Sequence, residues 1–473
     1  MTSDYYKGKL GSASAKLESF VKSLPAPSLS LDQARLIVAD LNPEDSRDVL
    51  GSLRADLTIP EAEVTISVED IFSSASGIKT QPKHGPSGWT NKLLKDMLLD
   101  DSNEERCQAR LQALADLFTL FANDRIPAFP WTVCREVLIT KDVNKFRPIG
   151  IGEVLYRFFM RVLLSKYATK VGEQLLPVQV GVGIPGGCEK AAVFTQFLYD
   201  KLEDSALIKL DLKNAFNLIS RKRILDGLSQ YCPQLIKAFL WSYSEVADLV
   251  DSDGNHLGTN EVGCRQGDPM SPLLFCVGMQ ECLLTTIGAI EQFLSESNHT
   301  LPPQEEDDDS FSDGGDSATQ APKSYSQAVP AVAYMDDITL NTPKEAADAV
   351  FEICRDTFSS FDFVINESKS IVIGDLEPDP SKPYKISSHG DLVLGNPVGT
   401  PDYRIDEVNK SIDAVSVLVS TLLDLPLKEQ IQYNILRYCL IPKLVYLCRV
   451  VGLNVRETLP NSSSFHSLFF TLV

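Results

Sequence analysis

Two aspartates, Asp336 and Asp337, stand side by side in the apolar, β-prone run AVAYMDDITL, Ala331 to Leu340. Like charges a few ångströms apart raise each other's pKa, and burying both without compensation is costly. A divalent cation is the usual remedy, and a tight turn between two strands presents both carboxylates to it. A solvated acidic turn is the plainer reading of the same pair. A third carboxylate, Asp211, sits near the end of the apolar strand ALIKLDL, Ala206 to Leu212, just before Lys213-Asn-Ala-Phe216. Alone, it reads better as a helix cap.

The surrounding elements follow from periodicity and turn chemistry. A strand over 133–140, a short polar link and Lys145-Phe-Arg-Pro-Ile149 predict a hairpin with Lys141, Lys145 and Arg147 near its turn. Helices are expected over 91–99, 104–123 and 153–171, the last with Arg157 and Arg161 four apart on one face. The glycine-rich QVGVGIPGGCE, 179–189, lacks P-loop spacing and reads as a flexible loop touching nucleic-acid backbone or as an ordinary surface loop. A second hairpin is expected over 246–262 around Asp253-Gly254, followed by GCRQGDPMSPLLF, a polar loop that feeds a long helix. Residues 363–373 read as strand-turn-strand, and 412–453 as a helical pair with Arg437, Lys443 and Arg449 unopposed by nearby acids. Residues 1–60 are polar and helical, with breaks at Pro25-Ala-Pro27 and Asn42-Pro43, and carry no assignable chemistry.

A chain of 473 residues exceeds what one core supports, so two or three subdomains are expected. The net charge of −20 speaks against a nucleic-acid partner until it is mapped. Residues 291–326 hold nine acids and one lysine, a local −8. Residues 135–170 are +5 and 209–223 are +4. The segment 295–328 is acidic, rich in Pro, Gly and Ser, and reads as a disordered insert. Ten scattered cysteines form no C-x-x-C and have no histidine at ligand spacing, which suits reduced, mostly buried thiols in an intracellular protein, nuclear or cytoplasmic. No signal peptide is read at the start. The apolar run 272–294 carries Gln280 and Glu281 mid-span, which argues against a membrane helix.

Taken in order, the blocks resemble the reverse transcriptases of non-LTR retrotransposons, with group II intron enzymes as relatives. GPSGW (85–89), KFRPIGI (145–151), KLDLKNAFN (209–217), CRQGDPMSPLLF (264–275), YMDD (334–337), VINESKS (364–370) and LGNPVG (394–399) carry the resemblance, which spans roughly residues 80–450. It implies an α+β right-hand polymerase fold with fingers over 61–205, a ferredoxin-like antiparallel palm over 206–400 and a partial helical thumb over 401–455. Residues 1–60 would be an N-terminal extension and 456–473 an irregular tail.

The resemblance also implies roles. Asp211, Asp336 and Asp337 would hold two Mg²⁺ ions, with Mn²⁺ as a substitute, for transfer of dNTPs onto a DNA primer paired with an RNA template. Arg147 would clamp the triphosphate, with Lys141 as second clamp and Lys145 as the competing choice. Gln266 would contact the dNTP sugar region, and Phe216 would exclude a ribose 2′-hydroxyl or, in its plainer reading, belong to the core. Lys369 would donate the proton to departing pyrophosphate. Gly395 and Gly399 would shape the primer-grip turn. The thumb is shorter than the family's and its tail departs from it, so the chain reads as a fragment or a decayed copy. Two alternatives follow: a nucleic-acid-binding relic without catalysis, and, against the Phe216 position and the YMDD form, an RNA-dependent RNA polymerase. No membrane partner is expected.

Overall fold

The computed structural model describes residues 29–44, 63–80, 82–100, 103–142, 145–201, 204–297 and 330–451. Helix α1 (Leu31–Leu41) opens on a capping box in which Ser30 Oγ accepts from Gln33 N–H and the Gln33 side chain accepts from Ser30 N–H. Helices α2 (Val68–Ser76), α3 (Asn91–Leu99) and α4 (Glu104–Ala122) start on Ser67, Thr90 and Asn103, whose side chains each accept a first-turn N–H. The expected apolar face of α4 is buried at Leu111, Leu114, Phe118 and Phe121.

The basic hairpin forms as β1 (Cys134–Asp142) and β2 (Lys145–Gly152), antiparallel, with a register shift between Thr140 and Asp142. Helices α5 (Val154–Leu175) and α6 (Gly187–Lys201) follow, then β3 (Ser205–Leu210) and the short α7 (Ala215–Leu218). Next come α8 (Arg221–Tyr231), α9 (Ile236–Tyr243), β4 (Ala247–Val250), β5 (His256–Asn260) and the long α10 (Ser271–Glu296). After the acidic segment come β6 (Ala331–Tyr334), β7 (Asp337–Pro343) and α11 (Ala347–Ser360). The strands β8 (Ile371–Ile373), β9 (Lys385–Ser387), β10 (Gly390–Val393) and β11 (Asn396–Gly399) precede α12 (Pro401–Asp424), α13 (Glu429–Ile435) and α14 (Ile441–Val450).

Among the described residues three sheets form. The central one has strand order β6-β7-β3-β8-β9. Its first four strands run antiparallel, as expected of the palm, but β8 and β9 are parallel, so the sheet is not wholly antiparallel. The hairpin β4-β5, expected as part of the palm sheet, instead joins the basic hairpin in the order β2-β1-β4-β5, with β1 and β4 parallel. Pairing between β1 and β4 links residues more than a hundred positions apart, which local periodicity does not encode. The third sheet is the two-stranded β10-β11.

A separate small cluster of Val38, Cys134, Leu249 and Leu257 lies on the sheet of the basic hairpin, and one continuous core runs beneath the central sheet. In it Trp241 stacks on Phe121 at 4.4 Å between ring centroids, and Phe159 meets Trp241 edge-on at 5.4 Å. Among the described residues α10 alone is long and apolar enough to cross a membrane, but 67% of its most apolar window is buried in this core. Gln280, expected to mark a non-membrane helix, lies inside and donates Nε2–H to the Leu175 carbonyl at 3.1 Å. Helix α10 continues through Glu296, so the insert starts later than expected, and residues 298–328 of it lie outside the described residues. Six cysteines are buried and all ten are free thiols, as expected. The C-terminal helices carry a separate small core of Val415, Leu418, Val419, Leu422, Ile431, Ile435 and Leu440. Arg449, locally unopposed in sequence, pairs with Glu189 of α6 at 2.7 Å.

Candidate active site

Asp336 occupies the turn of the β6-β7 hairpin. Tyr334 pairs with Asp337, so Met335 and Asp336 form a two-residue loop. Strand β7 pairs with β3 up to Ile338 opposite Leu210, and Asp211 and Asp337 each lie one step beyond that last pair. The three aspartates therefore sit at the same end of adjoining strands. Asp211 is held through its backbone: its N–H donates to Ser370 Oγ at 3.1 Å and its carbonyl accepts from Asn366 N–H at 2.7 Å.

The electrostatics match the placement. Burial pushes the Asp336 carboxyl above the usual carboxylate range; Asp337 and then Asp211 push it further, while Arg147 pulls it down. Oxygen donors of this kind suit a hard divalent cation. Among the described residues no three acidic, His or Cys side chains already close to ligand distance, and Asp211 Oδ2 faces Lys369 Nζ at 3.8 Å. The donor set and the strain on Asp336 nevertheless fit a cation. Binding one would relieve the repulsion that raises Asp336.

The remaining expected residues fall around this cluster. Arg147 is exposed on β2, and its charge reaches Asp336. Lys141 lies in β1 and Lys145 starts β2, but their side chains lie outside the described residues. Phe216, on α7, is partly buried and stacks on Phe275 of α10 at 4.4 Å and 14° between ring planes. Gln266 donates its side-chain amide to Asn217 Oδ1 at 3.3 Å, and its carbonyl accepts from Gly150 N–H at 2.7 Å. This ties the CRQGDP loop to the basic hairpin. Gly395 turns the β10-β11 hairpin with φ +76, and Gly399 ends it with φ +145. Lys209 of β3 reaches that hairpin, with Nζ 2.6 Å from Asp391 Oδ2 and 2.5 Å from the Leu392 carbonyl.

Several residues behind the site carried no distinctive sequence signal. Arg265 is buried, stacks over Tyr243 at 4.1 Å and donates to Tyr156 Oη at 2.5 Å. Both tyrosines donate to Asp268, at 2.5 and 2.7 Å. This network fixes the loop that presents Gln266, although Arg265 Nε is buried in it without a hydrogen-bond partner among the described residues. Arg221, also buried, donates to the carbonyls of Gly263, Tyr243 and Asn260. Arg157 does not simply face solvent: it donates to the carbonyls of Gly152 and Lys83. The GPSGW loop is pinned by Ser87, whose N–H and Oγ both donate to Glu153 at 2.7 and 2.6 Å.

The glycine-rich stretch 179–189 is neither a flexible nor a surface loop at its start. Gln179 is fully buried and bridges Ala333 of β6. Gly183 and Gly187 are pressed on neighbouring backbone, where an added Cβ would meet Ala168 O at 1.9 Å and Val180 O at 2.1 Å. Gly183 and Gly187 serve close packing, whereas Gly186 has open space around it and a φ of +66, a distinction that composition cannot make. The N-terminal extension also meets the site. The Leu41 carbonyl at the end of α1 accepts from the side-chain amides of both Asn214 and Asn217.

A hairpin-borne acid cluster between a basic hairpin and a glycine turn, on a mixed α+β frame, is the class of site on view. The sequence profile described as reverse transcriptase (RNA-dependent DNA polymerase) matches residues 139–377, half of the chain, and the chain belongs to this family. It is similar to the retrotransposable element SLACS 132 kDa protein of Trypanosoma brucei gambiense, 24% identical over 398 residues that make up 82% of this chain and 29% of that protein. It is also similar to the retrovirus-related Pol polyprotein from type-1 retrotransposable element R2 of Nasonia vitripennis, 31% identical over 160 residues (30% of this chain, 15% of that one). The R2 polyprotein of Popillia japonica is 26% identical over 168 residues, 33% of this chain and 23% of that one. The chain thus spans less than a third of the length of these curated relatives. The expected resemblance to non-LTR retrotransposon reverse transcriptases is borne out. Reverse transcriptase domains generally use divalent metal ions.

Proposed function

We propose that this chain is the RNA-directed DNA polymerase of a retrotransposable element, adding dNTPs to the 3′-hydroxyl of a primer paired with an RNA template. The observation that carries the reading is Asp336: a half-buried carboxylate in a hairpin turn, pushed toward its neutral form first by desolvation and then by Asp337 and Asp211. The fingers would span 61–205, the palm 206–400 and the thumb 401–455.

Asp211 and Asp336 would hold Mg²⁺, or Mn²⁺ in its place, with Asp337 as a weaker ligand. When bound, such ions activate the primer hydroxyl and stabilise the leaving oxygens. The chain's own residues do the rest. Arg147 holds the triphosphate, and Lys141 is the second clamp on the same hairpin. Gln266 and Phe216 flank the sugar, where the ring leaves no room for a 2′-hydroxyl. As the primer oxygen bonds to the α-phosphorus and the bond to pyrophosphate breaks, Lys369 supplies a proton to the departing group. The Gly395 turn and Gly399 let the primer backbone approach the β10-β11 hairpin closely.

Primer extension on an RNA template with Mg²⁺ tests the reading. Incorporation of dNTPs that disappears in Asp336→Asn supports it. Incorporation of rNTPs alone would make the chain an RNA polymerase, and binding without extension would make it a relic.

A further inference from the structure

The turn that carries Asp336 is built from an unfavourable residue. Met335 is the first of its two loop residues and has φ +59, whereas Asp336 is not in the left-handed region. A two-residue hairpin with positive φ at its first position alone follows the II′ pattern, which ordinarily takes glycine there. A side chain at that position is strained and persists only when the surroundings hold it.

Gln179 is what holds it. Its Oε1 accepts from Met335 N–H at 2.9 Å, and its Nε2–H donates to the Met335 carbonyl at 3.2 Å. One side-chain amide thus binds both peptide groups of the strained residue. The same Oε1 accepts from Gly181 N–H at 3.0 Å, which orients the amide. The backbone around it is fixed as well, since Val180 N–H donates to the Ala333 carbonyl at 2.8 Å and Ala333 N–H donates to Val178 O at 2.7 Å. Gly181 leaves room for the arrangement: an added Cβ would lie 2.5 Å from Met335 N and 2.8 Å from Gln179 Oε1. The peptide that Gln179 grips at its carbonyl is the one that leads into Asp336.

We infer that Gln179 is a positioning residue for the metal-binding turn, fixing the direction in which Asp336 presents its carboxylate to a divalent cation. The inference rests on the polymerase reading above. Gln179 touches neither substrate nor cation; it acts through the backbone of Met335. Without the amide clamp the loop relaxes toward a conformation that suits methionine, and Asp336 turns away from Asp211.

The test uses the full chain and Gln179→Met, which keeps the volume and removes both hydrogen bonds. Mn²⁺ binding is followed by loss of the free-ion electron paramagnetic resonance signal, and the Mg²⁺ dependence of primer extension is measured alongside. The expected result is at least tenfold weaker Mn²⁺ binding and a matching rise in the half-saturating Mg²⁺. The KM for dNTP at saturating Mg²⁺ should stay within twofold, a split that general damage to the fold would not produce. Should Gln179→Met fail to fold, Gly181→Ala displaces the clamp from its other side and should give the same split. Mn²⁺ binding and Mg²⁺ dependence within twofold of the parent, in whichever variant folds, overturn the inference. Failure of the parent itself to extend a primer or bind Mn²⁺ would bring down the polymerase reading as well.

Discussion

Gln266 and Asn217, forty-nine residues apart, are joined by a hydrogen bond of 3.3 Å from the Gln266 amide to Asn217 Oδ1. Asn217 is itself buried and donates to the Leu41 carbonyl at 2.8 Å. The residue assigned to the nucleotide sugar is therefore anchored, through one intermediary, to the helix that opens the described chain. Asn217→Ala removes the acceptor and loosens that anchor. A lost buried hydrogen bond costs about 1–3 kcal/mol, so the KM for dNTP should rise by up to roughly 5- to 150-fold. Steady-state extension with a single dNTP measures it, and an unchanged KM would show that Gln266 needs no such support.

Phe216 belongs to two structures at once, the candidate sugar pocket and the stack on Phe275. Phe216→Ala should raise acceptance of rNTPs relative to dNTPs, read as the ratio of their kcat/KM values. It should also lower stability by about 1–3 kcal/mol, because the ring is only partly buried. Loss of stability without any change in the ratio would leave Phe216 as a core residue only.

Glu136 gives a pH dependence. It is buried on β1, and burial raises its carboxyl to about 8. A folded-state pKa above the unfolded one means that the native chain binds the extra proton between the two values. Its contribution is therefore present in full below the ordinary glutamate value of 4.5 and is lost as the pH climbs through about 8. Glu136→Gln should match the parent at low pH and be the more stable protein at pH 8–9, as seen by denaturant unfolding across that range. A stability difference that stays constant at all pH values would show that Glu136 is not held protonated by its burial.

Gly395 and Gly399 of the β10-β11 hairpin should respond differently to alanine. At Gly399 a Cβ would lie 2.2 Å from His389 O and 2.5 Å from Gly390 Cα, so Gly399→Ala must displace backbone and should disrupt the hairpin. At Gly395 the nearest atom is 4.0 Å away, and only the positive φ is unfavourable. Gly395→Ala should cost about 1–2 kcal/mol and leave the hairpin intact. Thermal unfolding together with primer–template affinity separates the two, and equal effects would refute the distinction.

What could be read from the sequence was what depends on neighbours in the chain. The acidic turn at Asp336, the strand before Asp211, the basic hairpin and the apolar face of α4 all follow from local spacing. Strand partners did not. The parallel pairings of β4 with β1 and of β9 with β8 depend on contacts that no local period encodes. Side chains that hold backbone were equally hidden. Arg221, Arg265 and Gln179 look like ordinary polar residues until burial and their carbonyl partners are known. The glycines of 179–189 were ambiguous for the same reason, since flexibility and close approach call for the same residue.

Helix α10 takes its cover from both directions of the chain. One flank packs against α8, which precedes it, where Gly227 and Gly278 let the backbones approach. Another packs against α11, which follows the acidic segment. A ribosome that has just released residue 297 has therefore made the greasiest stretch of the molecule but not the partner that closes over it. Synthesis of some sixty more residues, through Ser360, must intervene before that side can be shielded. Co-translational folding here thus has an obligatory waiting period, during which chaperones or membranes compete for the same surface.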